Sequence, residues 1–107
     1  MANRSIQSTG AYLPLLRFER KAARAELSWS GLGGNGKGRR AVAGWDEDAL
    51  TQAVEAAREA LAPAQGPVAR VVFASTSAAF SDRSQSVLLS EALNLPRDAE
   101  TADLANC

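Results

Sequence analysis

The chain has 107 residues, enough for one domain spanning 1–107 with a modest core. Twelve Lys/Arg balance twelve Asp/Glu, so net charge is zero, which excludes the strong basic signature of a general nucleic-acid or anionic-membrane binder. A single cysteine excludes an internal disulfide, and the absence of histidine excludes the usual metal clusters and any Ser-His or Cys-His pair drawn from this chain alone.

From the amino terminus, Arg4 to Tyr12 alternates in a way that suits a first or edge strand ending at Leu13-Pro14. The start has no apolar segment of the signal-peptide kind, and no window approaches the apolar length of a membrane span, so a cytoplasmic protein is expected. Phe18 to Leu27 carries Phe18, Ala22 and Ala25 on one side and charges on the other, which predicts a short amphipathic helix with a solvated charged face.

Ser28 to Gly44 holds six of the eight glycines, and residues 28–45 are expected to form a long Gly-rich loop. Within it, GLGGNGKG (Gly31 to Gly38) nearly fits two phosphate-binding patterns. Both patterns need a strand before the glycines and a helix directly after them, and neither flank is expected here, so a connector is the better reading. Lys37, Arg39 and Arg40 form a dense positive cluster, readable as a solvated loop or as a grip on a phosphate group.

Asp46 is expected to cap a helix running to Leu61, with Leu50, Ala53, Val54, Ala57 and Leu61 at helical spacing and Pro63 and Gly66-Pro67 as the stop. Val68 to Ser77 (VARVVFASTS) is the most strand-like stretch. Its short apolar run predicts a strand buried on both faces between helices. Ligands in open α/β sheets collect where strands end, which makes Ala74 to Ala79 the first place to look for a site. Ser75, Thr76, Ser77 and Ser81 have no visible activating base and read best as hydroxyls capping the strand end. Asp82 and Gln85 fit a capping box opening a helix to Leu93, and Thr101 to Ala105 suits a last short strand. Cys107 follows as the lone thiol, by default a small hydrophobe, and a helix start behind it would lower its pKa.

Taken together, GAYLPLLRFER (Gly10 to Arg20), GKGRRAVAGWDEDALTQAVEAAREAL (Gly36 to Leu61), VVFASTSAAFSDRSQ (Val71 to Gln85) and LNLPRDAETADL (Leu93 to Leu104) resemble the amino-terminal part of the thiolase superfamily. The nearest branch is similar to 3-hydroxy-3-methylglutaryl-CoA synthase-like proteins, close to ketoacyl-acyl carrier protein synthase III. The resemblance implies an α/β chain forming the N-terminal half of a thiolase-like αβαβα layered fold, with a mixed sheet and flanking helices. It implies a cysteine nucleophile, matched by Cys107, whose partners, a His and often an Asn or a second His, come from a second half. It also implies a coenzyme A thioester as substrate with no bound cofactor, acyl-CoA or an acyl carrier protein as partner, a homodimer, and a place in lipid or isoprenoid metabolism. Lys37, Arg39 and Arg40 are then expected to help hold the carrier phosphate.

Two departures stand out. At the position where hydroxymethylglutaryl-CoA synthases carry a glutamate, this sequence has Thr76. The family's nucleophile follows the strand aspartate by five residues, whereas Cys107 follows Asp103 by four. The expectation is therefore the opening part of an acyltransferase, inactive as this chain alone. The alternatives are a non-catalytic thiolase-like subunit acting through a partner, and a nucleotide-binding module built on Gly31 to Lys37.

Overall fold

The computed structural model describes residues 4–31 and 34–105. In chain order it contains β1 (Leu16–Glu19), α1 (Arg20–Glu26), a 3-10 turn (Ser28–Ser30), β2 (Arg39–Val42), α2 (Ala49–Leu61), β3 (Arg70–Ser75), α3 (Gln85–Ala92) and β4 (Glu100–Ala105). These residues fall into two compact units, one built from the amino-terminal residues up to Tyr12 together with Asp48 onward, the other from Leu13–Glu47.

The first unit is a parallel βαβ arrangement. β3 and β4 pair in parallel, with Val71 opposite Thr101 and Phe73 opposite Asp103, and α3 makes the crossover. Val71 and Phe73 project to one face, where they form a core cluster with Leu50 of α2 and Leu89 of α3. Burying a side chain of this size contributes on the order of 1.5–3 kcal/mol, so these four anchor the unit.

The two-sided burial expected for this strand does not form. Burial alternates along β3; Val72 on the opposite face is 50% exposed, and Leu104 of β4, which pairs with Ala74 on that same face, is 58% exposed. The apolar run is continuous in sequence, but among the described residues only one side of this two-stranded sheet is covered.

α2 begins later than its acids suggest. Asp48, not Asp46, is the N-cap: its carboxylate accepts the Thr51 N–H at 2.8 Å, and the Thr51 hydroxyl accepts the Asp48 N–H at 2.8 Å. The strand expected over Arg4 to Tyr12 is absent, because this segment has no strand partner. It lies instead along α2, where the Ser8 hydroxyl donates to the Ala60 carbonyl at 2.5 Å and Glu59 accepts the Ala11 N–H at 3.0 Å. Gly10 permits that approach, since a Cβ there would stand 2.1 Å from the Ala56 carbonyl oxygen.

In the second unit, Phe18 and Glu19 belong to a strand rather than to the helix expected over Phe18 to Leu27. β1 pairs antiparallel with β2, placing Phe18 opposite Arg40 and Glu19 opposite Arg39. The helix is cut to the seven residues of α1, none of them buried. The expected loop over 28–45 therefore contains both the 3-10 turn and β2, because Arg39 to Val42 finds a pairing edge that no local signal announces.

Candidate functional site at the strand ends

The carboxyl ends of β3 and β4 meet the start of α3 around a hollow of about 300 Å³, lined by Phe73, Ser75, Phe80, Arg83, Gln85 and Asp103 among others. This is where open α/β sheets hold ligands, and it includes part of the stretch Ala74 to Ala79 singled out from sequence. Ser75 caps the end of the strand as expected, its hydroxyl accepting the Ser77 N–H at 3.1 Å.

Asp103 organises the hollow. Its carboxylate accepts the backbone N–H of Gln85 at 2.7 Å and of Ser86 at 2.8 Å, together with the Ser84 hydroxyl at 3.3 Å. It thus caps α3 from another strand, and the expected box of Asp82 with Gln85 is not made. Asp82 turns to Arg83 instead, at 3.1 Å, and the Arg83 guanidinium lies 5.1 Å from the centre of the Phe80 ring.

Desolvation pushes the Asp103 carboxyl up, but the hydrogen bonds from Ser86, Gln85 and Ser84 outweigh it and hold the pKa below the usual carboxylate range. The Arg83 hydrogen bond likewise lowers Asp82. Both acids are therefore ionised acceptors near neutral pH, suited to holding backbone and charge rather than to giving up a proton. Gln85, buried to 2% exposure, donates its amide to the Phe80 and Arg83 carbonyls at 2.8 and 2.9 Å, while its Oε1 is buried without a hydrogen-bond partner.

Thr76 and Ser81 are exposed at the same end of the sheet. The nucleophile expected at Cys107 lies outside the described residues, two positions beyond the last residue of β4. No cluster of potential metal ligands occurs among the described residues, and no helix among them is long and apolar enough to cross a membrane.

The expected phosphate-binding residues belong to the second unit, and the structure separates them. Arg39 points toward Glu19, at 3.6 Å, while Arg40, next along β2, faces the other way, onto the face of Phe18. Lys37 is exposed in the turn before β2, where its N–H is held by the Asn35 side chain at 3.1 Å. The glycine motif lacks both flanks, as expected, since the 3-10 turn precedes it and β2 follows it. Arg20 is the residue that sequence reasoning missed. It opens α1 and lines a hollow of about 480 Å³ together with Phe18 and Arg40.

No protein-family model and no curated protein matches the sequence. Among solved structures, a 3-oxoacyl-(acyl carrier protein) synthase III from Xanthomonas oryzae pv. oryzae superposes with a TM-score of 0.83 at 23% identity, covering 95% of this chain and 34% of that one. Xanthomonas campestris OleA with bound lauric acid and lauroyl-CoA gives a TM-score of 0.81 at 23% identity, over 95% of this chain and 34% of that one. The priming β-ketosynthase of a polyketide biosynthetic pathway gives 0.76 at 22%, over 94% and 32%.

The fold is thiolase-like. The chain spans about a third of the length of each of these proteins. The thiolase-like arrangement accounts for β3–α3–β4 as one unit.

Proposed function

We propose that this chain is the amino-terminal part of a thiolase-like condensing enzyme that carries an acyl group as a thioester on Cys107. The observation that carries the reading is the superposition of 95% of the chain on a 3-oxoacyl-(acyl carrier protein) synthase III and on OleA with bound lauroyl-CoA. The Cys107 thiolate attacks the acyl carbonyl of a coenzyme A or carrier-protein thioester. The old C–S bond breaks, and the carrier leaves as its thiol after taking a proton. The enolate of a second thioester then attacks the acyl-cysteine, expelling the Cys107 thiolate. The base comes from a further part of the protein, because this chain holds no histidine.

Lys37, Arg39 and Arg40 supply positive charge toward the carrier phosphate. The finer assignment is to the hydroxymethylglutaryl-CoA synthase-like branch, in lipid or isoprenoid metabolism, as a cytoplasmic homodimer. Thr76 distinguishes this chain within that branch, since a hydroxyl cannot act as the carboxylic acid that such synthases place there. A second reading, a non-catalytic subunit working by association, is favoured by the uncovered Val72 and Leu104 face.

Intact-mass measurement after incubation with acetyl-CoA or lauroyl-CoA, in the protein at its natural length, tests the first reading. An acyl adduct lost in Cys107→Ser is expected. No adduct from either donor overturns the acyl-enzyme and leaves the association reading.

A further inference from the structure

The turn that leads into β2 brings two hydrogen bonds onto Asn35. This residue is exposed, so water reaches it. Its Oδ1 accepts the Lys37 N–H at 3.1 Å, which folds the side chain back over the Asn35–Gly36 peptide bond. The carbonyl oxygen of that same peptide bond accepts from the Arg24 guanidinium at 3.4 Å. The Gly36 N–H makes no hydrogen bond among the described residues. Gly36 has no Cβ to shield its nitrogen, and its φ of 68° is one that few other residues adopt.

Each contact favours a different stage of one reaction. Removing the Gly36 amide proton leaves a negative charge shared between that nitrogen and the Asn35 carbonyl oxygen, where the guanidinium stabilises it. Attack of the nitrogen on Asn35 Cγ then moves charge onto Oδ1, which the Lys37 N–H already holds. Asn94 offers the contrast. The nitrogen that follows it, that of Leu95, donates to the Ser90 carbonyl at 3.0 Å and carries a bulky neighbour.

We propose that Asn35 is a self-modification site, at which the chain deamidates through a succinimide formed with Gly36. The Gly36 nitrogen gives its proton to hydroxide and bonds to Asn35 Cγ. The Cγ–Nδ2 bond breaks, and the nitrogen leaves as ammonia after taking a proton from water. A second water opens the ring. Opening at Cγ gives aspartate, and opening at the main-chain carbonyl gives isoaspartate, with the chain rerouted through the side chain. Either product replaces a neutral amide with a carboxylate beside Arg24 and Lys37, in the wall of the hollow that Arg20 and Arg40 also line. The inference stands apart from the acyl-thioester reading.

Incubation of the full chain at mildly alkaline pH, followed by peptide mass mapping and by methyl transfer from an isoaspartate-specific methyltransferase, tests it. The peptide holding Asn35 is expected to gain the mass of an amide-to-acid exchange and to accept methyl groups, while the peptide holding Asn94 stays unchanged. Charge separation should give a species that co-migrates with Asn35→Asp, and Asn35→Gln should form none. Because the exposed guanidinium contact is a modest one, Arg24→Gln is expected to slow the reaction about threefold. Unfolding the chain in urea should leave the rate at Asn35 the same or lower, since the two hydrogen bonds are lost.

An intact Asn35 amide after prolonged incubation overturns the site, as does equal conversion at Asn94. Faster reaction in urea would mean that the folded turn protects Asn35, and overturns the role given to its geometry. An unchanged rate in Arg24→Gln overturns the part assigned to the guanidinium.

Discussion

Asp103 on β4 accepts the backbone N–H of Ser86 at 2.8 Å, so the first turn of α3 is capped by a residue seventeen positions further along the chain. Because the same carboxylate also takes the Gln85 N–H at 2.7 Å, helix and strand are joined through one charged group. Asp103→Ala should lower stability by about 1 kcal/mol, the ordinary worth of an N-cap, as a reduced urea midpoint with an unchanged slope.

The same contact sets a pH dependence. The carboxyl of Asp103 is held below its ordinary value of 3.8, so the folded state binds its proton less readily than the unfolded chain does. Its contribution is therefore complete above about pH 4 and is lost as pH falls through the lower folded-state pKa. Urea midpoints measured at intervals from neutral to strongly acid pH should fall more steeply for the natural chain than for Asp103→Asn. Parallel curves would show that Asp103 does not supply the acid-sensitive term.

Gly10 should tolerate no side chain. A methyl group at that position meets the Ala56 carbonyl oxygen at 2.1 Å and the Ala60 nitrogen at 2.6 Å, both backbone atoms of α2 that cannot rotate away. Gly10→Ala is expected to cost about 1–3 kcal/mol by overpacking. Ser8→Ala, which removes one hydrogen bond to Ala60 while leaving the path of the segment open, is expected to cost about 1 kcal/mol or less. Thermal unfolding of the two variants side by side checks the order.

The one-sided burial of β3 predicts a contrast between adjacent valines. Val71 is 8% exposed and belongs to the core cluster, while Val72 is 50% exposed on the other face. Val71→Ala should cost roughly 1–3 kcal/mol and Val72→Ala within about 0.5 kcal/mol, as read from denaturation midpoints. Equal costs would mean that both faces are covered in solution.

At the start of α2, Asp48→Ala should cost about 1 kcal/mol, and Asp46→Ala almost nothing, because only the Asp48 carboxylate accepts a helix N–H. Helix content followed by circular dichroism during unfolding separates the two.

Elements whose information is local were legible in the sequence. The helical spacing from Leu50 to Leu61, the strand around Phe73 and the short strand near Asp103 all formed where expected, within a residue or a few at their ends. What was not legible depends on partners distant in the chain. Phe18 and Arg39 become strand residues only because they pair with each other's neighbours. Asp82 looked like a cap because no local pattern reveals that Asp103 will reach α3 first. Arg20 and Arg40 are twenty residues apart and reach one hollow only through that antiparallel pairing, so spacing could not have linked them. The segment before Tyr12 alternated like a strand, yet its hydrogen bonds go to Ala60 and Glu59 and it runs along a helix surface instead.

The cap on α3 also acts as a gauge of alignment. Sliding β4 by one residue along β3 would turn every one of its side chains to the opposite face, sending the Asp103 carboxylate away from Gln85 and Ser86. Only one offset satisfies both the ladder and the helix start, so the end of β4 is held at a fixed depth relative to the end of β3.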